Sequence, residues 1–393
     1  MLAALGRVTD ARPSPRIPAG RVAKGLFLMT LTRLGSLNAL EQSAGSRFWR
    51  RTLGGPLPSA DTLGRVPARM DEDQLRAILA AQYTQFKRNK ALPPPPHGLI
   101  ALVLDGHEMT SSERRVCKGG LTRTVGSEET AHEQHYHRYV AASLVGQDFH
   151  HFVDIEEVAP GEDEVAAALR LVRRVHAAYA RAFDVVMGDA LYARADFFLA
   201  VRALGKHVLT VLKQKERNLY KDAVGLLALQ KPMSFTRRGG RTHVLAWDLP
   251  EMTSWTQMGC AVRVVCTRET TATRRQKSRQ IEEPAAEWMW VTTLSRLQLP
   301  TEALVELAHA RWDIENQGFN EAVTYWHMDH VYRHEPTAMR VLILLTMLAM
   351  NVVRAFQRRA LKPAVRAAFS LLHITRCMLA ELYAEHPHVT PPG

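Results

Sequence analysis

The sequence predicts an α/β fold, in which helices cover a largely buried sheet. Residues 99–104 are a short apolar run and residues 183–187 are apolar except for Asp184, the pattern of strands that are buried on both faces. Residues 163–182 place apolar side chains at helical spacing, and a second helical pattern covers residues 300–326. Strands that alternate with amphipathic helices indicate a sheet with helices packed against it.

The composition is that of a globular protein with an excess of basic charge. The chain has 393 residues, of which 46% are hydrophobic and 23% charged, so it has room for two or three domains with a real core. Its 51 Lys and Arg against 39 Asp and Glu give a formal charge of +12. This excess favours a polyanionic partner, nucleic acid first, with a merely solvated basic surface as the alternative.

The cysteines and the apolar segments argue against a disulfide-stabilised protein and against a membrane-spanning one. The 4 cysteines include no CxxC pair and do not form a disulfide framework, which fits a reducing cytosol. The apolar run at residues 341–353 is shorter than the roughly 20 residues that span a bilayer, so it predicts a buried core helix. Residues 1–24 lack the apolar segment of a secretory signal.

Changes in composition divide the chain into segments. Four consecutive prolines at residues 93–96 form a stiff spacer after a helical region with basic ends. That region is interpreted either as a DNA-binding module or as a structural cap. The predicted segments are a poorly ordered tail (1–20), the helical region (21–92), the first part of the core (97–212), a β-rich basic insertion (213–298), the second part of the core (299–360) and a C-terminal helix with its tail (361–393).

The predicted elements follow one another in the order of a ribonuclease-H-like fold, which is three strands, a helix, a further strand and late helices. In that layout two acids from strands and one from a late helix meet at one site. The strands are expected at residues 99–104, 136–145, 152–158, 183–187 and 206–212, with helices at 163–182 and 190–204, and further strands in the insertion at 242–249, 260–267 and 288–294.

Two acids follow the predicted buried strands. Asp105 comes directly after the first apolar run, and Asp189 follows Gly188 after the second. Ligands of open α/β sheets collect at strand ends, so both carboxylates are candidates for one site. An Asp-Gly pair after a strand is also a common turn, so neither acid is decisive alone.

A third acid, Glu315, falls within the apolar stripe of the helix predicted at residues 300–326, between Leu304 and Phe319. A carboxylate that faces a core costs several kcal/mol unless something compensates it. Two interpretations are open. Glu315 forms a buried ion pair with Arg311, one turn earlier on the same face, or it is a metal ligand that faces other carboxylates.

Taken together, the three acids in a basic protein favour the metal interpretation. Carboxylate oxygens are hard ligands that suit Mg²⁺ or, as the alternative, Mn²⁺. Two such ions about 4 Å apart activate a water or a 3′-hydroxyl and stabilise the leaving oxygen. Lys213 and Lys215 follow the strand after Asp189, and we interpret them as phosphate contacts, with a solvated loop as the alternative.

Three sequence motifs resemble one family of proteins. They are LVLDGHEMTSS around Asp105, VVMGDALYA around Asp189 and HARWDIENQGFNEAVTYWHMDH around Glu315, and the RWxIE core of the third is the most specific. With them the chain resembles bacterial insertion-sequence transposases of the DDE type, in the insertion-sequence-four group, which carries a β-rich insertion before the final Glu. The resemblance extends from about residue 34 to about residue 360.

The resemblance implies a function and a site. Such proteins cut a mobile element at its terminal inverted repeats and join it to target DNA with bound Mg²⁺. Asp105, Asp189 and Glu315 would be the catalytic, metal-binding acids, and Arg311 would contact DNA, in addition to the contacts expected of Lys213 and Lys215 from their position. The β-rich insertion and the helical N-terminal region would grip the ends of the element. The resemblance also implies double-stranded DNA as the partner, a dimer on that DNA, and the bacterial cytoplasm, associated with the nucleoid.

The chain departs from the family pattern at two positions. The group usually has a Tyr three residues before the Arg and a Lys seven residues after the Glu, where this chain has Ala308 and Ala322. Two alternatives therefore stand beside the transposase. One is a metal-dependent nuclease of the same fold that never joins strands. The other is a DNA-binding relative that has lost catalysis.

Overall fold

The structure, a computed structural model, describes most of the chain. The ranges described are residues 1–92, 97–114, 116–128, 130–145, 150–179, 181–274, 281–282, 284–313 and 318–383. The predicted metal ligand Glu315 lies outside the described residues, as does the spacer at residues 93–96.

The N-terminal region is helical, as predicted. Its helices are α1 (Leu2–Leu5), α2 (Ala19–Leu31), α3 (Leu37–Gln42), α4 (Arg47–Leu53), α5 (Ala60–Arg65) and α6 (Glu72–Arg88). Residues 1–20, expected to be a poorly ordered tail, instead pack against this region. Leu5 and Val8 are buried, and Asp10 forms a β-bridge with Met70.

Strands and helices then alternate through the centre of the chain. The first group is β1 (Ala101–Ser112), β2 (Leu121–Val125), β3 (His132–Val145), β4 (His151–Glu157), α7 (Glu164–Tyr179), β5 (Val185–Gly188), α8 (Ala195–Ala203) and β6 (His207–Val211). The second group is α9 (Asn218–Leu227), β7 (Met233–Arg237), β8 (Thr242–Met252), β9 (Val262–Thr271), β10 (Thr273–Arg274), β11 (Ile281–Glu282) and β12 (Ala285–Thr292). The C-terminal helices are α10 (Thr301–His309), α11 (Arg311–Asp313), α12 (Asn320–Trp326), α13 (Pro336–Arg359), α14 (Pro363–Ala368) and α15 (Leu371–Tyr383).

One mixed sheet forms the centre of the described part of the chain. Its strand order is β2-β3-β1-β5-β6-β12-β9-β8-β7, and β4 pairs with β3. β1, β5 and β6 are parallel to one another, whereas β3 runs antiparallel to β1. The segment 213–298, expected as an insertion, adds β7, β8, β9 and β12 to this same sheet through antiparallel pairs.

Helices cover both faces of the sheet. Successive side chains of the central strands point alternately into two apolar clusters, one on each face. Leu102 and Leu104 of β1 face the cluster that contains residues of α7 and α8. Ala101 and Val103 face the cluster that contains residues of α2, α10, α12 and α13. Residues 101–104 of β1 are therefore buried on both sides, as their apolar sequence predicts.

Helix α13 is the core helix expected from the apolar run at residues 341–353. Among the described residues it is the one helix that is long and apolar enough to cross a membrane. Its most apolar window is 83% buried within the protein. The prediction of a buried core helix is confirmed.

Two sequence predictions are corrected by the strands and helices observed. β1 does not end at Asp105 but continues to Ser112, because residues beyond Asp105 pair with β3. The single helix expected over residues 300–326 is interrupted after His309. There the amide of Ala310 bonds to the carbonyls of both Glu306 and Leu307, which tightens the turn.

Candidate active site

Asp105 lies on β1, and Asp189 is the residue directly after β5, the neighbouring parallel strand. The register of β1 and β5 pairs Val103 with Met187, so two further residues along each strand bring the chain to Asp105 and Asp189. Asp189 keeps an extended backbone, with φ −77° and ψ −168°. Neighbouring strands are about 4.8 Å apart, so the two acids are adjacent across the sheet. That both acids belong to one site stays a prediction, and this register supports it.

The local backbone also orients Asp189. Its side chain caps a short 3₁₀ turn, Ala190–Tyr192, and one carboxylate oxygen accepts a hydrogen bond of 2.8 Å from the amide of Leu191. This contact fixes the carboxylate at the point where β5 ends. Asp189 can therefore cap a turn and also offer a carboxylate to a site, so the turn interpretation and the ligand interpretation do not exclude each other.

The flanks of Glu315 pack on the face of the sheet that carries both acids. Asp105 shares the alternation of Val103, which faces the cluster containing Leu304 and Ala308 of α10. Phe319, four residues after Glu315, belongs to the same cluster. Leu304, Ala308 and Phe319, which belong to the apolar stripe predicted for this segment, are therefore buried against the face of the sheet to which Val103 and Asp105 belong.

A ring contact ties the two segments together more closely. The ring of His107, two residues beyond Asp105 on β1, stacks on the ring of Phe319 with centroids 4.7 Å apart and planes 8° apart. Burial is the largest cause acting on His107 and lowers its pKa, which favours the neutral ring. This stack brings the chain directly after the segment 314–317 to within two residues of Asp105.

The third predicted acid remains a prediction. Within the ranges that the structure describes, no group of three or more His, Cys, Asp or Glu side chains is arranged to hold a metal ion, and Glu315 is not among those residues. Arg311, expected to contact DNA, is only 8% exposed and lies with its guanidinium carbon 4.9 Å from the ring centroid of Trp312. It packs in the interior, and its contact with DNA stays a prediction.

The two candidate phosphate contacts lie beside the Asp189 turn. Lys213 and Lys215 are exposed in the loop after β6, the strand parallel to β5. Gln214 between them donates a hydrogen bond of 2.7 Å from Nε2 to the carbonyl of Ala190. The loop is thereby attached to the residue next to Asp189, and both lysines face solvent there.

Sequence reasoning missed a polar network on the opposite face of the same two strands. The hydroxyl of Tyr192 donates a hydrogen bond of 2.7 Å to Oε1 of Glu164, the first residue of α7. The other oxygen of Glu164 lies 2.6 Å from a guanidinium nitrogen of Arg138 on β3. Burial, then the charge and hydrogen bond of Glu164, and then the charges of Asp189 and Asp105 raise the pKa of Tyr192 well above its usual value. Of these carboxylates, Glu164 is the one that the Tyr192 hydroxyl contacts directly.

The donor set at Asp105 and Asp189 fits a divalent ion of the Mg²⁺ type. Both side chains are partly exposed carboxylates, and hard oxygen donors at one level of a sheet suit Mg²⁺ or Mn²⁺ better than soft metals. The fold thus defines an α/β protein in which Asp105 and Asp189 follow two neighbouring parallel strands of a mixed sheet.

Comparison with known families identifies the class more closely. The family model described as "Transposase DDE domain" matches residues 97–352, which is more than half of the 393-residue chain. The chain therefore belongs to the transposase DDE-domain family. None of the curated proteins matches it. The DDE part of the resemblance is confirmed, and membership implies a DNA substrate and an activity for which such domains generally use divalent metal ions.

Proposed function

We propose that this protein is the transposase of an insertion sequence, which cuts at terminal inverted repeats and joins the freed ends to target DNA. The observation that carries the proposal is the register of β1 and β5, which pairs Val103 with Met187, each two residues before a proposed catalytic acid. The match to the DDE transposase domain supplies the reaction class. The finer assignment to the insertion-sequence-four group rests on the RWxIE motif that ends in Glu315.

The sheet supports a ribonuclease-H-like core within this proposal. The strands β4, β3, β1, β5 and β6 lie in that order, with β3 antiparallel to β1 and the other central strands parallel. α7 connects β4 to β5 on one face, and Leu304, Ala308 and Phe319, which lie before and after the segment of Glu315 in the chain, pack on the opposite face. This strand order and these two faces support the proposal of a ribonuclease-H-like layout, in which two acids on strands and one on a late helix would meet.

We propose Asp105, Asp189 and Glu315 as the ligands of two divalent ions, Mg²⁺ first and Mn²⁺ as the alternative. When bound, such ions supply activation of an attacking water or 3′-hydroxyl and charge stabilisation at the leaving oxygen. The protein's own contribution is orientation. The Leu191 amide fixes one oxygen of Asp189, and the His107–Phe319 stack connects β1 to the segment after Glu315.

The DNA path is proposed from charge and position. Lys213 and Lys215 beside the Asp189 turn would contact backbone phosphates, which position DNA without reading its sequence. The helical region at residues 21–92 and the basic segment at residues 213–298 would grip the ends of the element. A dimer on DNA and a cytoplasmic, nucleoid-associated location complete the proposal.

An assay with labelled DNA tests this function. The substrate is a duplex that carries an inverted repeat taken from the DNA beside the gene, incubated with Mg²⁺ and a target duplex. Strand cleavage followed by joined products is the expected result, and Asp105→Asn should abolish both while DNA binding persists. Cleavage without joining would support the nuclease alternative. Binding without cleavage, with either Mg²⁺ or Mn²⁺, would support the inactive relative. That alternative is considered because Ala308 and Ala322 stand where the family usually has Tyr and Lys.

A further inference from the structure

Two glycines beside the proposed metal ligands leave room for a pair of buried polar side chains. A Cβ atom at Gly106, next to Asp105, would lie 2.2 Å from Oε2 of Glu164. A Cβ atom at Gly188, next to Asp189, would lie 2.4 Å from the ring of Tyr192. Both strands therefore pass in direct contact with these two side chains, at the residues adjacent to the acids.

The two side chains are held to each other and to the sheet. Tyr192 is fully buried, with 0% exposure, and its hydroxyl donates to Glu164 at 2.7 Å. Tyr192 also closes the turn that Asp189 caps, because its amide bonds to the carbonyl of Asp189 at 3.3 Å. Arg138 on β3 lies against the remaining oxygen of Glu164 at 2.6 Å. One buried carboxylate thus contacts the Asp189 turn, the Asp105 strand and the next strand of the sheet.

Glu164 and Tyr192 lie on the other side of the sheet from the proposed ligands. Gly106 has the alternation of Leu104, which faces the cluster of α7, whereas Asp105 has the alternation of Val103, which faces the cluster of α10. A ligand role for Glu164 would require its carboxylate to pass through the sheet. Its position is instead that of a support beneath the site.

We propose that Glu164 and Tyr192 are positioning residues that set the placement of Asp105 relative to Asp189 and thereby the affinity for divalent ions. This inference rests on the proposed function, because it takes those two acids as metal ligands. The physical reason is that groups which orient metal ligands change metal affinity by about 10- to 100-fold when they are removed. Without the Tyr192–Glu164 bond, the Asp189 turn keeps the β1–β5 pairing before it but loses the side-chain link that joins it to β1 through Glu164.

The test is Mn²⁺ binding to the full chain without DNA, measured by calorimetry. Tyr192→Phe keeps the ring in place and removes only the hydroxyl. We expect it to bind the same number of ions about tenfold more weakly than wild type. The control is Tyr179→Phe, which removes another buried hydroxyl, bonded to the carbonyl of Val153, from the far end of α7. The control should bind Mn²⁺ as wild type does.

Each outcome is decisive. Equal Mn²⁺ affinity for Tyr192→Phe and wild type would overturn the positioning role, and so would an equal loss in both tyrosine variants. Glu164→Gln provides a second variant and should also weaken binding while keeping the number of ions. A complete loss of binding in Glu164→Gln, matching Asp105→Asn, would make Glu164 a ligand and overturn the proposal. If wild type does not bind Mn²⁺, the proposed metal site itself is wrong. That result comes from wild type alone, so it is distinguished from a failure of the positioning role.

Discussion

Gly106 is the residue where the structure leaves least room for a side chain beside the site. In Gly106→Ala the new Cβ would lie 2.2 Å from the buried carboxylate of Glu164, so the carboxylate or the strand must move. Overpacking of this kind costs about 1–3 kcal/mol, and we expect the free energy of unfolding in urea to fall by that amount.

A matched glycine provides the control for this substitution. Gly225 lies in α9, and a Cβ built there meets no atom within 4 Å in the described part of the chain. Gly225→Ala should leave the free energy of unfolding unchanged or raise it by about 0.5–1 kcal/mol, because alanine favours the helix. If Gly106→Ala were as stable as Gly225→Ala, the close contact between Gly106 and Glu164 would be wrong.

At the scale of residues, the sequence indicates the two acids that follow strands, Asp105 and Asp189, but not the residues that contact the strands beside them, Glu164 and Tyr192. Asp105 and Asp189 stand out because each follows an apolar run. Glu164 carries a different signal, a carboxylate on the apolar face of a helix. It shares that face with Ala168 and Leu171, four and seven residues later. That signal is easily missed at the first residue of a helix, where an acid is favoured by the helix dipole anyway.

At the scale of elements, buried polar groups connect the added strands to the helix that leads towards Glu315. Asp248 on β8 accepts hydrogen bonds of 2.9 and 2.8 Å from the guanidinium of Arg263 on β9, and one of 2.5 Å from the hydroxyl of Thr301. Thr301 is the first residue of α10, so its bond to Asp248 holds the N-terminus of this helix. The start of α10 is therefore fixed by β8 and β9.

Asp248→Asn should weaken the fold substantially, because it leaves the buried Arg263 without its charge partner. Removal of one partner from a buried ion pair costs about 3 kcal/mol or more, which we expect as the loss in free energy of unfolding. Asp61→Asn is the control, since its pair with Arg65 is exposed and should contribute less than about 1 kcal/mol. Similar losses in both variants would contradict the network.

The same carboxylate predicts a dependence on pH. Burial alone would raise the pKa of Asp248, but hydrogen bonds from Arg263, Thr301 and Arg296 prevail and lower it below the usual 3.8. The unfolded chain then binds this proton at a higher pH than the folded protein does. The stabilisation is present above pH 3.8 and is lost as the pH falls through the folded pKa.

Urea unfolding of wild type and Asp248→Asn across that acid range measures this effect. The free energy of unfolding of wild type should fall more steeply with decreasing pH than that of the variant, which has no proton to bind at residue 248. Parallel curves for the two proteins would show that Asp248 has the same pKa in both states.

Element prediction from sequence works where a local pattern decides and fails where distant partners do. The apolar runs and helical periods predict β5, β6, α7 and α13 well. β2 was missed because its residues are polar and largely exposed, and it exists as an edge strand only through pairing with β3. The break after His309 has no proline or glycine to signal it. It coincides with contacts to the added strands, including His309 with Glu269 at 2.7 Å.

At the scale of the whole molecule, strand order is the property that the sequence does not contain. The β-rich segment at residues 213–298 is visible from its composition, but β12 pairs with β6 and thereby joins four strands to the central sheet. Such long-range pairing is decided by the packing of complete elements, not by local propensity.

The net charge of +12 predicts DNA binding that weakens steeply with salt, because each neutralised phosphate releases counterions. Replacing both Lys213 and Lys215 with Ala should weaken binding to all sequences and flatten the log–log salt slope by roughly one unit for each phosphate that is no longer neutralised. Lys362→Ala, at an exposed lysine before α14, is the control and should keep the slope. An unchanged slope in the double variant would remove these lysines from the DNA path.

Asp105, Asp189 and Glu315 are proposed to form one metal site, and the decisive measurement is the shift in melting temperature on adding Mn²⁺. An ion that binds only the folded protein raises its melting temperature. We predict a rise for wild type and for the control Glu302→Gln on α10, and none for Asp105→Asn, Asp189→Asn or Glu315→Gln. If Glu315 only pairs with Arg311, Glu315→Gln would melt much earlier in EDTA and still show the full Mn²⁺-induced rise, which would contradict a shared site of three acids.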